Sequence, residues 1–280
     1  MTPPVVRPLL TLDPNLDPSQ NHYWSYHSLP TLLACKQPLT ASADEDLFIA
    51  VHQVCELCFH QMILDVDRVL DAFEIALPAG SDTVGDLGEA LYFLERVNGF
   101  WSIVNSAMPT LAGMRAFAEF RTSIGPTSGF QSFQFRKLEI QSGVERYWTG
   151  GTADTEGRPH VAETKFDEVY GEEISACLET YRHRNLRALA RALTERCARA
   201  DARSAVRDLA RALAQYDFAQ LDFHRRHLGM AATQLRKVGA DVGTGGTNFR
   251  KYLASYEMLY RPLFPEISAW LAAKEGRSTP

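Results

Sequence analysis

Residues 44–77 read DEDLFIAVHQVCELCFHQMILDVDRVLDAFEIAL, and the fold class follows from this stretch. Asp44 is suited to the N-cap, because its carboxylate accepts orphan N–H groups of a first helical turn. Pro78 and Gly80 end the run, since proline lacks the N–H that a continuing helix needs. Within it Phe48, His52, Cys55 and Phe59 follow steps of four, three and four, so they share one side of a helix. The helix predicted over 44–77 is therefore a core element with a histidine among its apolar residues.

Working outward, helix formers dominate and alternating β-branched runs are almost absent. A short helix is expected over Tyr26–Lys36, stopped by Pro38. Further helices are expected over Thr83–Met108, Ala112–Ser123, Ser132–Trp148, Ala162–Ala200 (one helix or two), Asp201–Val238 and Phe249–Tyr260. Thr149–His160 and the run Gly239-Ala240-Asp241-Val242-Gly243-Thr244-Gly245-Gly246-Thr247 read as loops, and the residues after Tyr260 as a tail. There is no internal repeat and no low-complexity linker. The expectation is an all-α, single-domain helical bundle over 21–280, with an irregular N-terminal arm over 1–20.

With 280 residues, 45% of them hydrophobic, the chain can bury a sizeable core. A net charge of −5 and a pI near 5.9 argue against a nucleic-acid binder. No run of roughly 18 apolar residues is present, so no membrane span is expected. Met1–Asp17 is proline-rich and lacks the basic-then-apolar layout of a signal peptide. Five cysteines in no disulfide spacing read as reduced thiols of a cytoplasmic protein.

Five constellations can carry chemistry, and each has a plainer reading. His52 is either a core histidine bonded to a backbone carbonyl or a histidine facing a ligand in an apolar pocket. His224-Arg225-Arg226-His227 is either a solvated face or a source of a metal ligand, including the single neutral imidazole that holds a haem iron. Arg121, at an apolar helix end, is either a surface ion-pair partner or a fork for a substrate carboxylate. The Gly243–Gly246 run can bring backbone N–H groups and the Thr244 hydroxyl to a polar ligand, but lacks the strand and lysine of a phosphate loop. Cys55-Glu56-Leu57-Cys58 lies inside a helix with no second pair, and reads as packing.

Taken together, these segments resemble the tryptophan 2,3-dioxygenases. The resemblance rests on Tyr23-Trp24-Ser25-Tyr26, then Leu32-Leu33 and Gln37-Pro38-Leu39. It continues through Asp46-Leu47-Phe48-Ile49-Ala50-Val51-His52-Gln53 with Glu56-Leu57. Phe120-Arg121 follows, with Ser128-Gly129-Phe130-Gln131-Ser132 and Gln134-Phe135-Arg136, and Arg226-His227 with Gly243-Thr244-Gly245-Gly246 closes the set. The blocks occur in family order and cover most of the chain from about 21 to 253.

The resemblance implies a helical homotetramer with one haem b per subunit, acting on L-tryptophan or a related aromatic amino acid with O₂. It implies His227 as the proximal iron ligand and His52 above the haem near the indole N–H. It assigns Arg121 to the substrate carboxylate, Thr244 to the amino-acid end, Phe48 and Phe117 to the substrate pocket, and Ser128 and Gly129 to the cofactor. Tyr23 and Tyr26 would reach into a neighbouring subunit's site.

The sequence departs from the family pattern at His27, Cys58, His60 and Phe117, where leucine, tryptophan, lysine and tyrosine are usual. The His227–Thr244 interval is about three residues longer than usual, which makes His224 the alternative ligand. The expected reaction is cleavage of the indole C2–C3 bond to N-formylkynurenine. The alternatives are a haem-dependent monooxygenase of a tryptophan derivative or tyrosine, and a non-catalytic haem-binding module.

Overall fold

The computed structural model describes residues 20–78, 84–125, 131–144, 161–196, 204–240 and 262–275. Among them every regular element is a helix and none is a strand. In chain order these are α1 (His22–Tyr26), α2 (Leu29–Ala34), α3 (Ala43–Ala76), α4 (Gly88–Ala112) and α5 (Phe117–Phe120). Then come α6 (Phe133–Ser142), α7 (Val161–Tyr181), α8 (Leu186–Arg196), α9 (Ser204–Lys237) and α10 (Pro265–Glu275).

The central layer is α4, packed between α3 and α9. α3 and α4 run antiparallel: Asp65 of α3 pairs with Arg96 of α4 at 3.2 Å, while Phe59 meets Trp101 at 6.2 Å between ring centroids. α4 and α9 run parallel, and polar side chains fix their register. Asn98 Nδ2 donates to Ala212 O and Asn105 Nδ2 to Ala219 O, each at 2.9 Å. Seven residues separate the donors on one helix and the acceptors on the other, two helical turns on each. Each such bond contributes on the order of 1 kcal/mol, so the seam's stability comes mainly from apolar burial. Trp101, Val97, Leu94 and Val104 of α4 and Leu213 and Tyr216 of α9 are fully buried along it.

α3 is long and apolar enough by composition to cross a membrane, although it holds no unbroken run of 18 apolar residues. Here it is a core helix that packs against both α4 and α6. Gln134 and Gln141 of α6 donate to the α3 carbonyls of Glu56 and Ile63, at 3.0 and 3.3 Å. α6 ends at Gly143, whose φ is +85°. A Cβ there would lie 2.6 Å from both Arg187 Cβ and Asn185 Oδ1, so only glycine fits the turn.

Several helix boundaries differ from expectation, each for a local reason. The Tyr26–Lys36 helix is instead two short helices, because Ser28 is left-handed (φ 50°) and Pro30 suits only a first turn. α3 begins at Ala43 behind Ser42, so Asp44 is not its N-cap. The Thr83–Met108 helix begins only at Gly88 and runs on to Ala112. The Ala112–Ser123 helix shrinks to the four residues of α5, after a turn at 113–116. The Ala162–Ala200 segment forms two helices, with Asn185 Oδ1 accepting Ala188 N–H at the second start.

The expected tail contains α10. Pro265 opens it, Phe264 and Ile267 are fully buried, and the Asp217 carboxylate accepts the N–H groups of Leu263 and Phe264 at 2.9 and 3.1 Å. The helix expected over Phe249–Tyr260, the loop over Thr149–His160, residues 241–247 of the second glycine-rich loop and residues 1–19 of the arm over 1–20 lie outside the described residues.

Candidate active site

Asp44, Phe48 and His52 stand four residues apart on α3 and so form one stripe over two turns. His52 Nδ1 lies 2.7 Å from Phe48 O. A carbonyl only accepts, so Nδ1 carries the proton and donates it. In the neutral ring this leaves the Nε2 lone pair as an acceptor for another group. Burial lowers the His52 pKa below its ordinary value, outweighing the Phe48 bond and the Glu56 charge, which raise it. The ring is therefore neutral at pH 7. The backbone bond matches the plainer sequence reading of His52 and leaves Nε2 outside that bond.

α5 sits against this stripe. The Phe48 ring is 4.1 Å from the His52 ring, 5.5 Å from Phe120 and 6.4 Å from Phe117. Phe117 and Phe120 are buried and meet edge to face at 5.4 Å. Arg121 is the C-cap of α5 and partly buried, with its N–H bonded to Phe117 O at 3.1 Å. Asp44 Oδ2 accepts the N–H groups of Arg115 and Ala116, both at 2.6 Å, at the entry to α5. The Asp44 carboxylate thus serves α5 and not the start of its own helix.

The second imidazole comes from α9. His227 lies near-parallel to Phe223, with 5.8 Å between centroids and 19° between planes. Phe223 in turn packs on Phe59, Trp101 and Phe135. Desolvation pushes the His227 pKa down to about 4, with smaller contributions from the charges of His52 and Arg136. His227 nonetheless keeps solvent-accessible surface. The residue is exposed in the single chain, so its imidazole is open to a ligand. The sensitivity of His227 to His52 puts the two imidazoles within electrostatic reach of each other. His224 instead meets Phe135 and Phe223 edge-on, at 5.7 and 5.5 Å.

α6 closes a third side. Arg136, buried, pairs with Glu139 at 2.7 Å, so its charge is compensated. His60 Nδ1 donates to Gln134 Oε1 at 2.8 Å, which orients that amide to donate to Glu56 O and Glu56 Oε2. His60 and Gln134 were not singled out for this bridge, because its partners lie 74 residues apart.

Tyr23 and Tyr26 are 66% and 84% exposed, and their rings meet only the adjacent His27 among the described ring contacts. The single chain does not bring them to the stripe on α3. Ser128, Gly129 and Thr244 lie outside the described residues. Cys55 and Cys58 are core residues; burial raises both thiols, Cys55 to about 12, which suits packing and not redox use. Among the described residues no cluster of three His, Cys, Asp or Glu could hold a bare metal ion. The arrangement offers two neutral imidazoles, an aromatic lining and an arginine at one end. One neutral nitrogen donor in an apolar wall fits a haem iron.

A family profile described as Tryptophan 2,3-dioxygenase matches residues 13–149. The chain is 31% identical over 272 residues to the tryptophan 2,3-dioxygenase of a Nocardioides species, covering 88% of this chain and 92% of that one. It is 30% identical over 276 residues to that of Anaeromyxobacter dehalogenans, covering 92% and 97%. A shorter match to the Bdellovibrio bacteriovorus enzyme, 35% over 130 residues, covers 44% of this chain and 35% of that one.

Proposed function

The chain belongs to the tryptophan 2,3-dioxygenase family of enzymes, and from that premise we propose that it cleaves the indole C2–C3 bond of L-tryptophan with O₂, giving N-formylkynurenine. The observation that carries this reading is the pair of neutral imidazoles, His52 on α3 beside Phe48 and His227 on α9 beside Phe223, within electrostatic reach of each other. Haem b held through His227 would supply the O₂ chemistry.

The chain's own residues do the rest. His227 stays neutral because its surroundings disfavour the imidazolium, which keeps a nitrogen lone pair for the iron. His52, protonated at Nδ1 toward Phe48 O, accepts the indole N–H at Nε2 and fixes the plane of the ring. It orients the substrate and is not a strong base, since an indole N–H is a very weak acid. Phe48 and Phe117 pack the indole and exclude water. The planar fork of Arg121 binds the carboxylate, and the Thr244 hydroxyl meets the amino-acid end. On the family resemblance, Ser128 and Gly129 would help to hold the cofactor. The exposure of Tyr23 and Tyr26 supports a homotetramer in which the arm closes a neighbouring subunit's site.

The reaction needs no net electrons, so both atoms of one O₂ enter one product. Mass spectrometry after turnover of L-tryptophan under ¹⁸O₂, without added reductant, is the test. Two labelled atoms in N-formylkynurenine are expected. One labelled atom in a ring-intact product, dependent on ascorbate or peroxide, overturns the dioxygenase reading in favour of a monooxygenase.

A further inference from the structure

We infer that Asp44 is a positioning residue for the carboxylate clamp: it sets the direction of α5 and through it the place of Arg121. This rests on the reading of Arg121 as the group that binds the substrate carboxylate. Asp44 touches neither substrate nor cofactor in this account, and acts through main-chain atoms only.

The geometry is that of a short lever held at one end. A single carboxylate oxygen, Asp44 Oδ2, takes the N–H groups of Arg115 and Ala116, both at 2.6 Å, and such charge-assisted bonds are stronger than neutral ones. From there the chain is stiff. Ala116 O accepts Glu119 N–H at 2.9 Å and Phe117 O accepts Arg121 N–H at 3.1 Å. Five helical residues span about 7.5 Å, so a tilt of about 10° at Ala116 moves the Arg121 backbone by about 1 Å. A productive fork tolerates about half that displacement.

The other side of the same turn is held from α9. Gln234 Nε2 donates to Leu111 O, Ala112 O and Met114 O at 2.8, 2.9 and 3.3 Å, and Lys237 Nζ to Met114 O at 2.6 Å. The carbonyls of the turn thus belong to α9 and its N–H groups to α3. Asp44 also stands on the same stripe as Phe48 and His52, so the clamp is referenced to the helix that carries the indole-facing histidine. The α3 N-terminus does not need Asp44 for its own sake, since Glu45 and Asp46 also lie in its first turn.

The test uses the haem-loaded, full-length protein, with ligand binding followed by the change in the haem absorption spectrum. L-tryptophan is compared with tryptamine, which lacks the carboxylate. Asp44→Ala is expected to raise the Kd of L-tryptophan about tenfold, about 1.4 kcal/mol, with tryptamine binding and haem content unchanged. Asp44→Asn keeps one oxygen able to accept both N–H groups but loses the charge, and should leave a selective loss of a few fold. Arg121→Lys, measured alongside, must weaken L-tryptophan selectively.

If Arg121→Lys leaves L-tryptophan binding unchanged, the clamp reading fails, and this inference with it. If Arg121→Lys acts and Asp44→Ala does not, or Asp44→Ala weakens both ligands equally, the inference fails and the clamp stands. Should Asp44→Ala not accumulate as holoprotein, Asp44→Asn decides: a selective loss of L-tryptophan binding of a few fold supports the inference, and an unchanged ratio of the two Kd values overturns it.

Discussion

Along the α4–α9 seam and at the α3–α5 corner the same device recurs: a side chain of one helix satisfies main-chain groups of another. At the seam Asn98 and Asn105 give their amides to carbonyls of α9, in the middle of a run of fully buried apolar residues. At the corner Asp44 takes the N–H groups of a turn whose continuation, α5, is four residues long and carries Phe117, Phe120 and Arg121. The seam has so much burial that its polar bonds only choose the register. The corner buries Met114, Phe117 and Phe120 within a single short turn and α5, so its polar bonds decide where functional side chains stand. Damage to the seam should therefore appear as lost stability, and damage to the corner as lost recognition.

The sharpest break of that contrast is at Trp101, fully buried against Phe59, Tyr216 and Phe223. Trp101→Ala should cost about 3–5 kcal/mol of stability in urea unfolding, with substrate affinity of the remaining folded protein little changed. A cost below about 1 kcal/mol would mean that the seam is not the core. At the corner, Arg121→Lys should raise KM for L-tryptophan by about tenfold or more, because a point charge replaces a planar fork, while the unfolding midpoint stays put. An equal loss of KM and stability would erase the distinction between the two regions.

Glu45 tests whether a carboxylate at the corner also holds the arm. It is 1% exposed and accepts Leu39 N–H at 2.8 Å, Thr40 N–H at 2.6 Å and the Thr40 hydroxyl at 2.5 Å. Glu45→Ala should cost about 1–3 kcal/mol and speed proteolytic cleavage near Leu39, with haem content retained. Unchanged cleavage would remove Glu45 as the anchor.

The smallest effect is at Asp217, which holds the start of α10. Burial raises its pKa above the ordinary 3.8, against the Leu263 and Phe264 N–H groups, which lower it. As pH rises from 3.8 toward the raised value, the unfolded chain releases this proton before the folded one does, so folding loses stability over that window. Asp217→Asn keeps an acceptor without the charge, and should gain stability relative to the parent as pH rises from about 4 to 7. A relative loss over that range would reverse the assignment.

How much of this was legible in the sequence follows the same division. Long periodic helices announced themselves: α3 ends within a residue of its predicted stop at Leu77, and α9 matches within a few residues at each end. The apolar face holding Phe48, His52, Cys55 and Phe59 was also legible, because it is local. Partner choice was not. Asp44 fits an N-cap by type, and nothing in its neighbourhood says that its oxygen is taken by residues 71 and 72 positions away. α10 was missed although Pro265 and Glu266 are ordinary opening residues, because its stability comes from Asp217 and from burial of Phe264 and Ile267. At the site, residue types pointed to His52, His227 and Arg121, but the backbone bond that fixes the His52 tautomer needed the fold.

The proposed site holds a haem through His227, within electrostatic reach of His52. Its most direct test is the absorption spectrum of the protein expressed with ample haem, for the parent, His227→Ala and His224→Ala. The account predicts a Soret band in the parent, its loss or strong disturbance in His227→Ala, and its retention in His224→Ala, whose ring packs edge-on against Phe135 and Phe223. A colourless parent, or a band that disappears with His224 and survives without His227, would contradict it.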